Sequence, residues 1–169
     1  TGEAFLGDPR HALVRVVERM KAAGYTPCCA VELEFYLLDP KAPPMADGMP
    51  APVYRATAGP TPQHMYAMSD LSDFSSVFSD IWAYAKAQGL PIDTMVSEAA
   101  PGQFEVNLKH RADAVAAADD AVMLKRLVCE VARRHGLKAT FMPKPFMDVA
   151  GSGLHLHVSL LDRFGHNVF

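Results

Sequence analysis

Cys28-Cys29-Ala30-Val31-Glu32-Leu33-Glu34-Phe35-Tyr36-Leu37-Leu38 sets two carboxylates two residues apart inside an otherwise apolar run rich in strand formers. Strand side chains alternate between faces, so Glu32 and Glu34 share one face while Val31, Leu33, Phe35 and Leu37 share the other. Two like charges held side by side on a half-buried strand repel, and a cation between them relieves that cost. A single Glu-x-Glu is also what a solvated strand face looks like, so further ligands must decide between the two readings.

The same alternation occurs twice more. Glu98 and Glu105 bracket Ala99-Ala100-Pro101-Gly102-Gln103-Phe104. From Gln103 to Leu108, Phe104, Val106 and Leu108 fall on one face, with Gln103, Glu105 and Asn107 on the other. Pro101-Gly102 marks a turn that brings Glu98 back toward Glu105. In Gly153-Leu154-His155-Leu156-His157-Val158-Ser159-Leu160, His155, His157 and Ser159 alternate with Leu154, Leu156, Val158 and Leu160. Three strands thus each offer one polar face and one apolar face. Four Glu and a His are mostly hard oxygen donors, which suit Mg²⁺ or Mn²⁺ rather than a thiolate zinc site. Four carboxylates exceed what one such ion takes from protein, so two or more ions holding phosphates are expected.

The 169 residues, half of them hydrophobic, suit one domain with a sizeable core. A formal charge of −3 with interspersed Lys and Arg offers no basic stripe for a nucleic-acid backbone. No apolar run reaches the length of a membrane span, and Thr1-Gly2-Glu3-Ala4-Phe5 lacks the pattern of a signal peptide. Cys28, Cys29 and Cys129, odd in number and without metal-type spacing, read as buried thiols of a reducing, cytoplasmic compartment. The first residue is Thr, so the sequence is compatible with a piece of a longer chain.

Asp8-Pro9 reads as the start of a helix carrying Leu13, Val16, Val17 and Met20 and stopped by Gly24. Residues 39–62 are crowded with Pro, Gly and Ala and read as a long loop. A second helix is expected from 69–72 to Gln88, with Phe74, Val77, Phe78, Ile81 and Trp82 on its core face and Gly89 as its stop. A third runs from Asp113 to His135, ended by Gly136, with Val115, Val122, Leu124, Leu127, Val128 and Val131 at apolar positions. Its basic end complements the helix dipole. Ala139-Thr140-Phe141-Met142 is expected as a short strand, and residues 143–153 as the loop that delivers the His155 strand. This order is an α+β pattern: a largely antiparallel sheet with helices packed on its apolar face.

In this order, Val31-Glu32-Leu33-Glu34-Phe35, the segment from Glu98 to Glu105, Ala139-Thr140-Phe141-Met142-Pro143-Lys144-Pro145 and the segment from Gly151 to Ser159 resemble the catalytic domain of the glutamine synthetase family. The resemblance covers nearly all of residues 1–169 and corresponds to the middle of a family member. It implies a partial catalytic domain, with the family's N-terminal small domain and its later C-terminal part absent. By the resemblance, Glu34, Glu98 and Glu105 would hold one ion of Mg²⁺ or Mn²⁺, while Glu32 and His155 would hold a second. His157 and Ser159 would line the nucleotide site, and the Gly151 loop would receive glutamate. The implied activity is ATP-dependent ligation of the γ-carboxylate of glutamate to ammonia or an organic amine through γ-glutamyl phosphate. The implied partners are ATP, glutamate, the amine and, in the full-length protein, further copies of itself. This piece alone is expected to be inactive.

Two departures bear on the acceptor. Ala150 precedes Gly151-Ser152-Gly153 where ammonia-using members carry Asn, and Phe146-Met147-Asp148-Val149 is not theirs either. Glu105-Val106-Asn107-Leu108-Lys109-His110, Ala150-Gly151-Ser152-Gly153 and Gly165-His166-Asn167-Val168-Phe169 are more similar to the γ-glutamylpolyamine synthetase branch. Two other classes compete: a non-catalytic metal- or nucleotide-binding sensor or assembly module of the same fold, and an unrelated carboxylate–histidine hydrolase or isomerase. Intact Glu32, Glu34, Glu98, Glu105 and His155 speak against the first, because their repulsion persists without a use for it. Nucleotide binding separates the ligase from the second.

Overall fold

The computed structural model describes residues 4–5, 7–43, 50–53 and 65–169. Helix α1 (Pro9–Ala22) starts where the Asp8 carboxylate accepts from the Arg10 N–H at 3.1 Å. Strand β1 (Thr26–Asp39) follows, then a two-residue β2 (Ala51–Pro52) inside the segment expected to be loop. The remainder of that loop is only partly within the described residues. Helices α2 (Met68–Asp73) and α3 (Ser75–Gln88), the hairpin β3 (Ile92–Ser97) and β4 (Gln103–Leu108), helix α4 (Ala114–Arg134), β5 (Lys138–Thr140) and β6 (Leu154–Leu161) complete the order.

β1 is the spine of the sheet. One of its edges pairs antiparallel with β6 over Thr26–Leu33 and then with β5 over Tyr36–Leu38. The other pairs with β4 over Glu32–Tyr36 and with β2 at Leu38 and Asp39, and β3 lies outside β4. Val31, Leu33, Phe35 and Leu37 of β1 join Phe104, Val106 and Leu108 of β4 under α3 and α4 in one apolar cluster. Phe35 and Leu37 are fully buried, and the Phe104 ring sits 4.8 Å from that of Phe78 on α3. The fold is the expected α+β arrangement, with the strand faces assigned by alternation.

Several details differ from the sequence reading. The second helix breaks at Phe74 (φ −109°, ψ 23°), which ends α2 and begins α3. The break lets the Phe74 ring pack edge-on against Phe104 at 5.7 Å. Trp82, expected in the core, is 47% exposed, because the sheet ends at β3 and leaves its ring over a surface groove with Phe78, Asp93 and Met95. Val122 is 69% exposed, since it lies about 200° around α4 from the buried Leu124. β6 shows the largest departure: Leu154, Leu156 and Val158 are exposed, as α3 and α4 lie over β1, β3 and β5. Of the three cysteines only Cys29 is buried; Cys28 and Cys129 are half-buried, and all are free thiols. The short strand expected over Ala139–Met142 runs over Lys138–Thr140. Among the described residues no helix is long and apolar enough to cross a membrane.

Candidate metal centre

Directly opposed residues of an antiparallel pair project on the same face. The register sets Glu34 opposite Glu105, and Glu32 between Asn107 on β4 and His155 on β6. The polar faces of three strands therefore merge around the Glu32–Glu34 step. His155 Nδ1 lies 3.2 Å from Glu32 Oε2, and 3.9 Å from both Glu34 Oε1 and Glu105 Oε2. One ligand atom each from Glu32, Glu105 and His155 fall within 4.8 Å of one another.

Glu98 reaches the same place through the β3–β4 turn. Gly102 occupies φ +73°, and its carbonyl accepts from the Leu37 N–H at 2.9 Å, which docks the turn against β1. The Glu98 N–H donates to the Gln103 carbonyl at 2.8 Å. Glu32, Glu34, Glu98, Glu105 and His155 then line one open cleft of about 440 Å³. All five residues expected as ligands are thus brought together. The tightest trio mixes the two groups implied by the resemblance, taking Glu105 from one and Glu32 and His155 from the other.

The electrostatics are those of a site that favours a cation. Burial pushes the Glu98 carboxyl above the ordinary carboxylate value, and the charges of Glu34 and Glu105 push it further. Glu105 is raised as well, first by burial, with Glu32 and Glu34 adding to it, while an Asn107 hydrogen bond opposes the shift. Hard oxygen donors gathered this closely, with one imidazole among them, fit Mg²⁺ or Mn²⁺.

The other expected residues lie around this centre. His157 Nε2 is 2.9 Å from Glu32 Oε1, and its half-exposed ring stands edge-on to His110 at 6.1 Å between centroids. Ser159 sits further out on β6, opposite Cys28. The Gly151 carbonyl accepts from Gln103 Nε2 at 2.9 Å, and the Gly153 N–H donates to Glu34 Oε2 at the same distance. A Cβ at Gly153 would stand 2.9 Å from Glu34 Oε1, so only glycine leaves that carboxylate its room.

Three participants escaped the sequence reading as site residues. Gln103 is buried and donates to Glu34 Oε2 at 3.0 Å; its place two residues before Glu105 on the polar face was the available signal. Asn107, by the same alternation, lines the cleft. Tyr66 lines it too, at φ +62°, a conformation uncommon for an aromatic residue, its N–H donating to the Ser97 carbonyl at 3.0 Å. No motif around Tyr66 pointed to it.

Residues 6–169 match the family model described as glutamine synthetase, catalytic domain. The chain is 41% identical over 174 aligned positions to γ-glutamylputrescine synthetase PuuA of Escherichia coli (strain K12), covering 99% of this chain and 35% of that protein. It is 37% identical over 171 positions to the glutamate–isopropylamine ligase of a Pseudomonas species, covering 99% and 36% respectively. Its fold superposes on the solved structure of GmaS in complex with ADP with a TM-score of 0.85 at 34% identity, covering 99% of this chain and 37% of that one. The chain spans about a third of the length of the curated relatives it matches.

Proposed function

The chain belongs to the glutamine synthetase catalytic-domain family, and from that premise we propose that its acidic cleft serves an ATP-dependent ligase joining the γ-carboxylate of glutamate to ammonia or an organic amine. The observation that carries this reading is the convergence of Glu32, Glu34, Glu98, Glu105 and His155 in a single cleft. In this proposal residues 1–169 are part of a catalytic domain whose other parts, in a homo-oligomer, complete the site. The names of the two enzymes, one acting with putrescine and one with isopropylamine, support an organic amine as acceptor.

Glu34, Glu98 and Glu105 would hold one Mg²⁺ or Mn²⁺, and Glu32 and His155 a second. Bound there, the ions would supply the positive charge that lets a carboxylate and a triphosphate approach each other. The chain's own residues prepare the place. Gln103 and the Gly153 N–H hold one oxygen of Glu34, leaving the other turned toward His155. His157 and Ser159, further along β6, would face the nucleotide, in keeping with the ADP bound by the structural relative GmaS. Gly151, tied to the centre through Gln103, would place glutamate. A γ-carboxylate oxygen then attacks the γ-phosphorus of ATP and ADP leaves, giving γ-glutamyl phosphate. The amine nitrogen attacks the acyl carbon, loses a proton, and phosphate departs.

The test is phosphate release by the protein in its full coding length. Release should require ATP, glutamate and an amine together and fall at least about 100-fold in kcat/KM for Glu34→Gln. Phosphate release independent of glutamate would overturn the reading.

A further inference from the structure

Gln103 is 1% exposed and every polar atom of its side chain is used. Its Nε2 donates to Glu34 Oε2 at 3.0 Å and to the Gly151 carbonyl at 2.9 Å, while its Oε1 accepts from the Ala100 N–H at 3.2 Å. Two acceptors at one end and a donor at the other fix which way the amide points. The Tyr36 hydroxyl, 3.4 Å from Gln103 Oε1, donates to the Ala150 carbonyl at 2.5 Å. Phe146 packs edge-on against the Tyr36 ring at 5.3 Å, and Val149 and Ala150 pack against the same buried cluster.

We propose that Gln103 is a positioning residue that locks the Glu34 carboxylate and the Ala150–Gly151 loop into one unit, so that the ion site and the glutamate-binding loop are set together. The proposal deepens the ligase reading and rests on it. A carboxylate with one oxygen held by two N–H groups cannot rotate freely, so its second oxygen is presented in a fixed direction. Outer hydrogen-bond partners of this kind typically change ion affinity 10- to 100-fold when removed. A loop carbonyl bonded to the same amide shares that fixed position, so loss of Gln103 loosens both at once. Glu has no side-chain N–H donor for these contacts, and Asn is one methylene too short to keep all of them.

The test compares Gln103→Met with wild type in three readouts: melting without ion, Mn²⁺ binding by the loss of the free-ion electron paramagnetic resonance signal, and, in the full-length protein, KM for glutamate against kcat. The expected result is a folded variant with Mn²⁺ affinity about tenfold or more weaker and glutamate KM raised more than kcat is lowered. A folded variant with wild-type Mn²⁺ affinity overturns the proposal and leaves the ligase reading intact. Full-length wild-type protein that binds no Mn²⁺ overturns the ligase reading, and this proposal with it. Should Gln103→Met fail to fold, the Gln103 side-chain amide resonances of ¹⁵N-labelled wild type decide. Their movement on Mg²⁺ titration supports the coupling, and resonances unmoved at saturating Mg²⁺ overturn it.

Discussion

Glu34 and Glu105 stand directly opposite each other on β1 and β4, and their neighbours Phe35 and Phe104 form the next opposed pair on the other face. A single alternation thus sets the acidic centre and the aromatic core back to back. The core holds the strands in register, and the register forces like charges together. Mg²⁺ or Mn²⁺ should therefore stabilise the chain: ion at 100 times its dissociation constant adds about 2.7 kcal/mol, a melting shift of roughly 5–10 °C for a chain of this size. Glu34→Gln should raise the metal-free melting temperature and shrink the response to ion. A melting curve indifferent to millimolar ion in the wild type would contradict this.

The raised Glu98 and Glu105 carboxyls predict a pH dependence of definite sign. Both keep their protons in the folded chain at pH values where the unfolded chain has already lost them, above the ordinary value of 4.5. Their contribution is therefore fully present below about pH 4.5 and is lost as pH rises through the higher folded values. Other carboxylates act the opposite way, notably Glu130, held down to about 2 by hydrogen bonds from Arg133 and Arg134. The comparison must isolate one group. In ion-free melts from pH 4 to 7, Glu105→Gln should gain on wild type as pH rises, and a difference constant with pH would refute the assignment.

Gly102 and Gly153 should separate stability from site chemistry. At Gly102, φ is +73° and an added Cβ would stand 2.5 Å from the Val53 carbonyl oxygen. Gly102→Ala should therefore cost at least ~1–2 kcal/mol in denaturant unfolding. At Gly153 the added Cβ meets side-chain atoms rather than backbone, Glu34 Oε1 at 2.9 Å and the His155 ring at 3.2 Å. Gly153→Ala should cost less ion-free stability than Gly102→Ala while weakening Mn²⁺ binding about tenfold.

Most of this centre was legible in the sequence because period-two alternation is a local property. Glu32, Glu34, Glu105 and His155 needed only the strand assignment and a register, and their strand faces are as expected. What alternation cannot show is what covers a face. Leu154, Leu156 and Val158 alternate as cleanly as Val31, Leu33 and Phe35, yet they are exposed because no local pattern says where α3 and α4 will lie. Trp82 fell on the apolar side of its helix, but the sheet stops at β3 before reaching its ring. Gln103 shared the polar face with Glu105, but its hydrogen bond to the Gly151 loop, 48 residues away, lies beyond any local pattern.

In the proposed ligase, the loop that Gln103 and Tyr36 hold would bear on the choice of acceptor amine. Ala150 is anchored through its backbone carbonyl to the Tyr36 hydroxyl, whose own pKa burial and the nearby Glu34 charge push up to about 12, so it stays a donor across the physiological range. A methyl side chain at Ala150, packed against the Tyr36 and Phe146 cluster, offers no amide to a small polar acceptor. Each methylene of a larger acceptor buried in the complete site would add ~0.8 kcal/mol, roughly fourfold in binding. In the full-length protein, with ATP and glutamate fixed, an alkylamine or diamine should exceed ammonia in kcat/KM at equal concentration, through tighter binding of the larger transition state. Ala150→Asn should move the preference back toward ammonia, because the added amide supplies a polar partner. Ammonia as the best acceptor of the wild type would return the protein to ordinary glutamine synthesis, and Ala150→Asn without effect on the ratio would place acceptor selection elsewhere in the cleft.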